Sequence, residues 1–228
     1  MTIAARLAEV RERIAAAARS AGRDPSSITL VAVSKTFPIE FVRDAYAAGQ
    51  RDFGENRVQE GLQKIARLPD LDIRWHLLGH LQTNKARKAA AAFATIQSVD
   101  SLDVLQKIDA AAQEAGATPE LLIQIGLAAE ATKFGVAPDR AARLLEAAAS
   151  LSAARVTGLM ILPPMPDNPE DSRPWFRRLR ALRDAWLKAG IPPARLAHLS
   201  MGMSGDFEVA VQEGATIVRV GTAIFGTR

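Results

Sequence analysis

Apolar positions recur along the chain at two spacings, and their alternation predicts the architecture. Residues 3–20 place Leu7, Val10 and Ile14 at helical spacing with Arg11, Glu12 and Arg13 largely on other sides, so an amphipathic helix opens the chain. Ile28–Val33 is a short, nearly continuous apolar run with β-branched pairs around Leu30, the pattern of a strand covered on both faces. Polar Ser34-Lys35-Thr36 follows, and Pro38 opens another helix. The same order then repeats. Strands are predicted at Arg51–Phe53, Ile73–Leu78, Thr95–Val99, Leu121–Ile125, Arg155–Ile161, Leu196–Leu199 and Thr216–Val220. Helices from about Val58 and Asn84, and at Leu102–Glu114, Arg140–Ala149, Trp175–Ala189 and Phe207–Glu213, fill the intervals. Eight short strands alternating with helices favour an α/β fold closed as a (β/α)8 TIM barrel, with one extra N-terminal helix. A doubly wound open sheet is the rival, because Arg51–Phe53 is a weak strand. Its glycine-rich phosphate fingerprint is missing, however, and so is a Walker pattern.

Composition narrows this picture. The 228 residues are 48% hydrophobic, enough for a sizeable core, and the proline-rich stretch from Pro163 to Pro169 reads as a βα loop, so residues 1–228 are expected to form one domain. The 29 basic and 25 acidic side chains leave a net charge of only +4. The densest basic runs, Lys85–Lys88 and Arg177–Arg183, lie in predicted helices and read as solvated faces, so a nucleic-acid partner is not expected. The chain has no cysteine, which excludes disulfides, thiolate metal sites and cysteine nucleophiles, and its three separated histidines point to no metal centre. Without a run of transmembrane length or an export signal, a soluble cytoplasmic protein is the expectation.

In a barrel the C-terminal strand ends converge on one mouth, so the polar groups closing each strand are the first candidates for chemistry. Lys35 closes the first strand, where partial desolvation or a neighbouring cation would make its amine a Schiff-base nucleophile; the bland alternative is a solvated lysine. Asn56 follows the second strand, and His80, Thr83 and Asn84 follow the third; Asn56, Thr83 and Asn84 could equally be helix caps. His76, inside its strand, reads as a core histidine. Near the C-terminus, Ser200-Met201-Gly202-Met203-Ser204-Gly205-Asp206 offers small residues and hydroxyls before a helix, suited to an anion-binding nest, while Ser204 and Asp206 also suit ordinary capping. Arg219, Gly221 and Thr222 close the last strand, as in the phosphate sites of many barrels.

These segments, LVAVSKT around Lys35, FGENRVQE from Phe53, WHLLGHLQTNK from Trp75, SVDS from Ser98, GLM from Gly158 and the long run from Leu199 to Gly226, resemble in order the pyridoxal-phosphate homeostasis proteins of the YggS/PROSC type. That resemblance implies a barrel like the N-terminal domain of alanine racemase, holding pyridoxal 5'-phosphate as a Schiff base on Lys35. It further implies Asn56 beside the cofactor ring and His80 at the rim. Ser200, Gly221 and Thr222 would meet the phosphate, with amides around Met201 and Gly202, and Arg219 would face the pyridine nitrogen. A monomer that buffers the cofactor or delivers it to apoenzymes follows as the expected role, without substantial catalysis. One departure stands out: Gly126 occupies the family's asparagine position, although Glu130, Lys133 and Gly135 persist. Two other functions stay in view. A weak amino-acid racemase would need a second base opposite the lysine, and the sole tyrosine, Tyr46, falls in the helix after the first strand. A binding module would use the basic surface to recruit RNA or acidic apoenzymes.

Overall fold

The computed structural model describes residues 1–127 and 134–227. Helix α1 (Ile3–Ser20) is capped by Thr2, whose hydroxyl accepts the Ala5 N–H at 3.2 Å, and it buries Leu7, Val10 and Ile14 as the helical spacing requires. The strands are β1 (Thr29–Val33), β2 (Asp52–Glu55), β3 (Arg74–Leu77), β4 (Thr95–Val99), β5 (Glu120–Gln124), β6 (Arg155–Met160), β7 (His198–Ser200) and β8 (Ile217–Val220). Between and after them run α2 (Ile39–Ala47), α3 (Val58–Arg67), α4 (Ala86–Ala92), α5 (Leu102–Ala115), α6 (Pro138–Ala147), α7 (Arg173–Lys188), α8 (Phe207–Gln212) and α9 (Thr222–Phe225). The strands are all parallel and pair in chain order. Pairing of Thr29 with Ile217 and of Ala32 with Val220 joins β1 to β8 and closes the barrel. Closure overturns the open-sheet rival. The weak second strand is real and pairs on both sides.

Alternation along each strand divides the apolar residues into two bodies. Ala32, Phe53, Leu77, Ile96, Leu121, Leu159, Leu199 and Val218 point outward into a continuous layer under the helices. Val31, Leu122, Met160 and Ile217 point inward and form a small separate cluster with Leu162 packed against it. Each fully buried leucine or isoleucine contributes about 1.5–3 kcal/mol, so the outer layer dominates stability. Helix α1 packs against α2, α8 and α9, covering the joint where the last strand meets the first. Arg13 fixes it there through a bidentate pair to Glu208 at 2.9 and 2.8 Å. No helix among the described residues is long and apolar enough to cross a membrane.

Three local expectations need correction. The seventh strand begins at His198, not Leu196, because Pro193–Leu196 forms a short 3-10 turn; Ser200 therefore lies within the strand, paired with Met160 and Ile217. The helix expected from Asn84 begins at Ala86, after a 3-10 turn at Thr83–Lys85, and neither turn nor helix carries a side-chain cap. The sixth helix starts and ends two residues early, with Pro138 in its first turn.

Candidate functional site at the barrel mouth

The C-terminal strand ends enclose a cavity of about 470 Å³ bordered by Lys35, Asn56, His80, Arg219, Gly221 and Thr222, six of the positions singled out from the sequence. Val33, Leu78, Leu162 and Met203 supply its apolar wall, with Gln124 and Ser204 as further polar groups.

Lys35 stands on a loop gripped from both flanks. Ser34 donates its hydroxyl to Glu55 Oε1 at 2.7 Å, and Lys64 of α3 donates Nζ–H to Ser34 O and to the same Glu55 oxygen, each at 2.7 Å. On the other flank the Thr36 N–H donates to Glu60, whose carboxylate oxygen lies 3.2 Å from Lys64 Nζ. Thr36 takes a left-handed backbone conformation, φ 63°, unfavourable for a β-branched residue and maintained by this grip. Burial pushes the Glu55 carboxyl's pKa up, against the opposing pull of Lys64 and Ser34. Its Oε2 is buried and has no hydrogen-bond partner among the described residues.

Asn56 does not cap α3, whose N-cap is Arg57 without a side-chain bond; it borders the cavity instead. Gly79 makes this possible, since a Cβ there would stand 2.1 Å from Asn56 O. His80 stacks on Phe134 with ring centroids 4.1 Å apart, and its Nδ1 lies 3.2 Å from Asp100 Oδ2.

On β8, the strand paired with β1, Arg219 is 3% exposed, donating to Ser200 Oγ at 2.6 Å and to Ile161 O at 2.8 Å. Burial pushes its pKa down to about 10, with Asp206 acting the other way, so it remains a cation at neutral pH. Beside it, Gly221 and Ala223 direct their N–H groups at one oxygen, Ser204 Oγ, at 3.2 and 3.4 Å. That hydroxyl occupies the position of an oxygen acceptor at the start of α9. Asp206 does not cap α8 with its side chain; it accepts the Met203 N–H at 2.7 Å and the Ser172 hydroxyl at 2.7 Å, which folds the Met203–Asp206 turn.

Ser200, Met201 and Gly202 do not border the cavity. Ser200 is fully buried, with its hydroxyl donated to Gln97 Oε1 at 2.6 Å. The Met201 N–H is committed to Ile217 O at 3.1 Å. Gly202, at φ 92°, lets Phe207 and Ala210 approach, for a Cβ would lie 2.5 Å from Ala210 Cβ. Gly126 is described and donates its N–H to Val136 O at 2.9 Å, whereas Glu130 and Lys133 lie outside the described residues. Sequence reasoning missed Gln97, Glu60 and Lys64. The signal for Gln97 was a polar residue in mid-strand, at the inward phase of β4.

A closed parallel barrel whose mouth joins a lysine, a buried arginine and converging amides defines a class: barrels that can hold an anionic carbonyl compound at the strand ends. The family model for the alanine racemase N-terminal domain matches residues 5–228. Pyridoxal phosphate homeostasis proteins of Aquifex aeolicus and Pseudomonas aeruginosa are 44% and 45% identical over the whole of this chain, covering 99% and 96% of their own lengths. PipY of Synechococcus elongatus, solved with PLP bound, is 43% identical with a TM-score of 0.87, across 99% of this chain and 100% of that one. This chain therefore belongs to the pyridoxal phosphate homeostasis family, built on the alanine racemase N-terminal barrel. An alanine racemase of Clostridium difficile shares the fold at 16% identity and a TM-score of 0.72; the match covers 96% of this chain but only 59% of that one.

Proposed function

We propose that this protein binds pyridoxal 5'-phosphate in the barrel mouth as a Schiff base on Lys35, and that it buffers or delivers the cofactor in vitamin B6 homeostasis. The observation carrying this reading is that one cavity brings together an amine, a buried guanidinium and two amides aimed at a single oxygen. The residues fit the group: a cavity of about 470 Å³ accommodates a small aromatic ring with its phosphate. The relatives named for pyridoxal phosphate homeostasis and the PLP-bound PipY support it.

When bound, pyridoxal phosphate supplies an aldehyde carbon that an amine captures with loss of one water, and attack by water or a second amine reverses the capture. Lys35 supplies the amine. The Gly221 and Ala223 amides, with Thr222 and Ser204, receive the phosphate oxygens, while Asn56 and His80 border the ring. Arg219 faces the ring nitrogen, and a cation there opposes ring protonation, weakening the electron sink that carbanion chemistry requires. Ser200, Met201 and Gly202 act behind that contact, Ser200 by bonding Arg219 and Gly202 by accepting its backbone N–H at 3.0 Å. Tyr46 supplies no second base: its hydroxyl accepts the Asp72 N–H at 3.3 Å, just before β3 and at the opposite end of the barrel. Storage and delivery therefore fit better than racemisation, and the whole chain serves as one monomeric, cytoplasmic unit with apoenzymes as recipients.

Borohydride reduction of the protein mixed with pyridoxal phosphate should fix one cofactor per chain on the Lys35 peptide, read by mass spectrometry, and Lys35→Ala should fix none there. Label on other lysines with none on Lys35 would sink the reading. Deuterium uptake into alanine at a turnover rate, abolished by Lys35→Ala, would establish the racemase instead.

A further inference from the structure

Part of the barrel interior is apolar, but β2, β3, β4, β7 and β8 send a polar side chain inward at adjoining positions. Asp52, His76, Gln97, Ser200 and Arg219 are all at least nine-tenths buried, and each touches the next: 3.0 Å from Asp52 Oδ1 to His76 Nε2, 3.1 Å from His76 Nδ1 to Gln97 Nε2, then 2.6 Å from Gln97 Oε1 to Ser200 Oγ and 2.6 Å from Ser200 Oγ to Arg219 Nη1. The chemistry of the two ends fixes the direction of every bond. A guanidinium only donates, so Ser200 accepts from Arg219 and passes its own proton to Gln97. That turns the Gln97 amide nitrogen toward His76, whose Nδ1 must accept, leaving Nε2–H to donate to Asp52. The opposite arrangement needs a doubly protonated imidazole and a reversed amide, and it leaves the Ser200 hydroxyl proton without its acceptor.

The chain thus runs one way, from a cation at the mouth to a carboxylate near the base, where Asp52 also takes a bidentate pair from Arg74 at 2.8 and 2.6 Å. No carboxylate among the described residues pairs directly with Arg219. Two of its five N–H groups are held, one by Ser200 and one by Ile161 O, and the guanidinium borders the mouth cavity. We propose that Gln97, backed by His76 and Asp52, is the positioning residue for Arg219, fixing the guanidinium plane toward the bound ring and compensating its charge through a neutral chain instead of a contacting anion. This rests on the cofactor reading above.

The test uses protein labelled with 15N at arginine, first without cofactor, where the rate of guanidinium rotation and N–H exchange at Arg219 is read by NMR. Gln97→Met, which keeps volume and removes both bonds, should speed that rate at least tenfold. Ser200→Ala should do the same, while Ser200→Thr, which retains the hydroxyl, should restore the wild-type rate. Asp52→Asn, isosteric and at the far end, should speed it about threefold. With 15N-labelled pyridoxal phosphate added, the ring-nitrogen resonance should move in Gln97→Met while borohydride still fixes the cofactor on Lys35. An unchanged Arg219 rate in a folded Gln97→Met or Ser200→Ala protein would overturn the proposal. If Gln97→Met does not fold, the Ser200→Ala and Ser200→Thr pair decides. Wild-type protein that fixes no cofactor would sink the cofactor reading alone, because the exchange arm needs none.

Discussion

The two reactive groups at the mouth are secured in opposite ways. Lys35 sits on a loop held at its flanking residues by ions, with Glu55 and Lys64 buried and Glu60 at their edge. Arg219 is held at its own side chain by neutral groups, and its nearest chain-linked anion, Asp52, stands three side chains away. The difference suits the role proposed above for each group. A lysine that must lose a proton to attack a carbonyl is well served by a loop fixed through its backbone, which sets where the amine enters the mouth. An arginine that acts by its charge would have that charge largely cancelled by a contacting carboxylate. Neutral hydrogen bonds fix its geometry and preserve its field.

The ionic side should be the more fragile. Lys64→Met takes from buried Glu55 the cation paired with it, and breaking a buried pair costs about 3–5 kcal/mol. Urea unfolding should record that loss at pH 8. With Lys64 gone, burial raises the Glu55 pKa further, so the folded state binds a proton that the unfolded chain has released. Stability then falls as pH rises from the ordinary carboxylate range, and the loss should be smaller at pH 5 than at pH 8. Glu55→Gln added to Lys64→Met should recover about half of it. A loss under about 1 kcal/mol at pH 8 would mean that the grip is not ionic.

The neutral side should respond less and with the opposite dependence on pH. Burial pushes the Asp52 carboxyl up, but the bonds from His76 and Arg74 outweigh it and hold its pKa below the ordinary value of 3.8. A carboxyl with a lowered folded pKa contributes stability that is present above 3.8 and lost as pH falls below it. Asp52→Asn should cost about 2 kcal/mol at pH 7. It should also flatten the decline expected of the wild type as pH falls below about 3.8. Parallel acid profiles for wild type and variant would remove Asp52 as the ionic terminus of the chain.

The strands were legible because parallel strands covered on both faces must be apolar nearly throughout, and Lys35 and Arg219 stood out as cations closing such runs. The interior chain was not. In Thr95–Val99 the polar positions Thr95 and Gln97 look like the solvent face of a half-buried strand, and only closure of the barrel turns that face into a core. Glu60 and Lys64, four residues apart in one helix, likewise read as an exposed pair, yet Lys64 is 7% exposed because the loop after β1 folds over it. Ser200 was left in the following loop because the expected strand ended one residue early, at Leu199, whereas pairing with Met160 and Ile217 carries it to Ser200. Each miss concerns a side chain whose surroundings come from a distant segment.

The smallest expected effect isolates backbone strain from ionic grip on the lysine side. At φ 63° Thr36 carries a conformational cost of about 1 kcal/mol, which glycine would not incur. Glycine brings its own penalty, because its unfolded chain has more freedom to lose, about 0.5–1 kcal/mol. The two nearly cancel, so Thr36→Gly should change stability by less than about 0.5 kcal/mol. Its effect on the loop should nonetheless be visible. In this backbone conformation the Thr36 N–H donates to Glu60, and glycine samples others as readily, so amide exchange at position 36 should quicken while that of Leu77 in β3 stays unchanged. Combined with Lys64→Met, the glycine should lessen the cost of losing the grip, since no strain is left for the ions to hold. Strict additivity of the two substitutions would mean that Lys64 stabilises Glu55 alone and leaves the lysine loop to set itself.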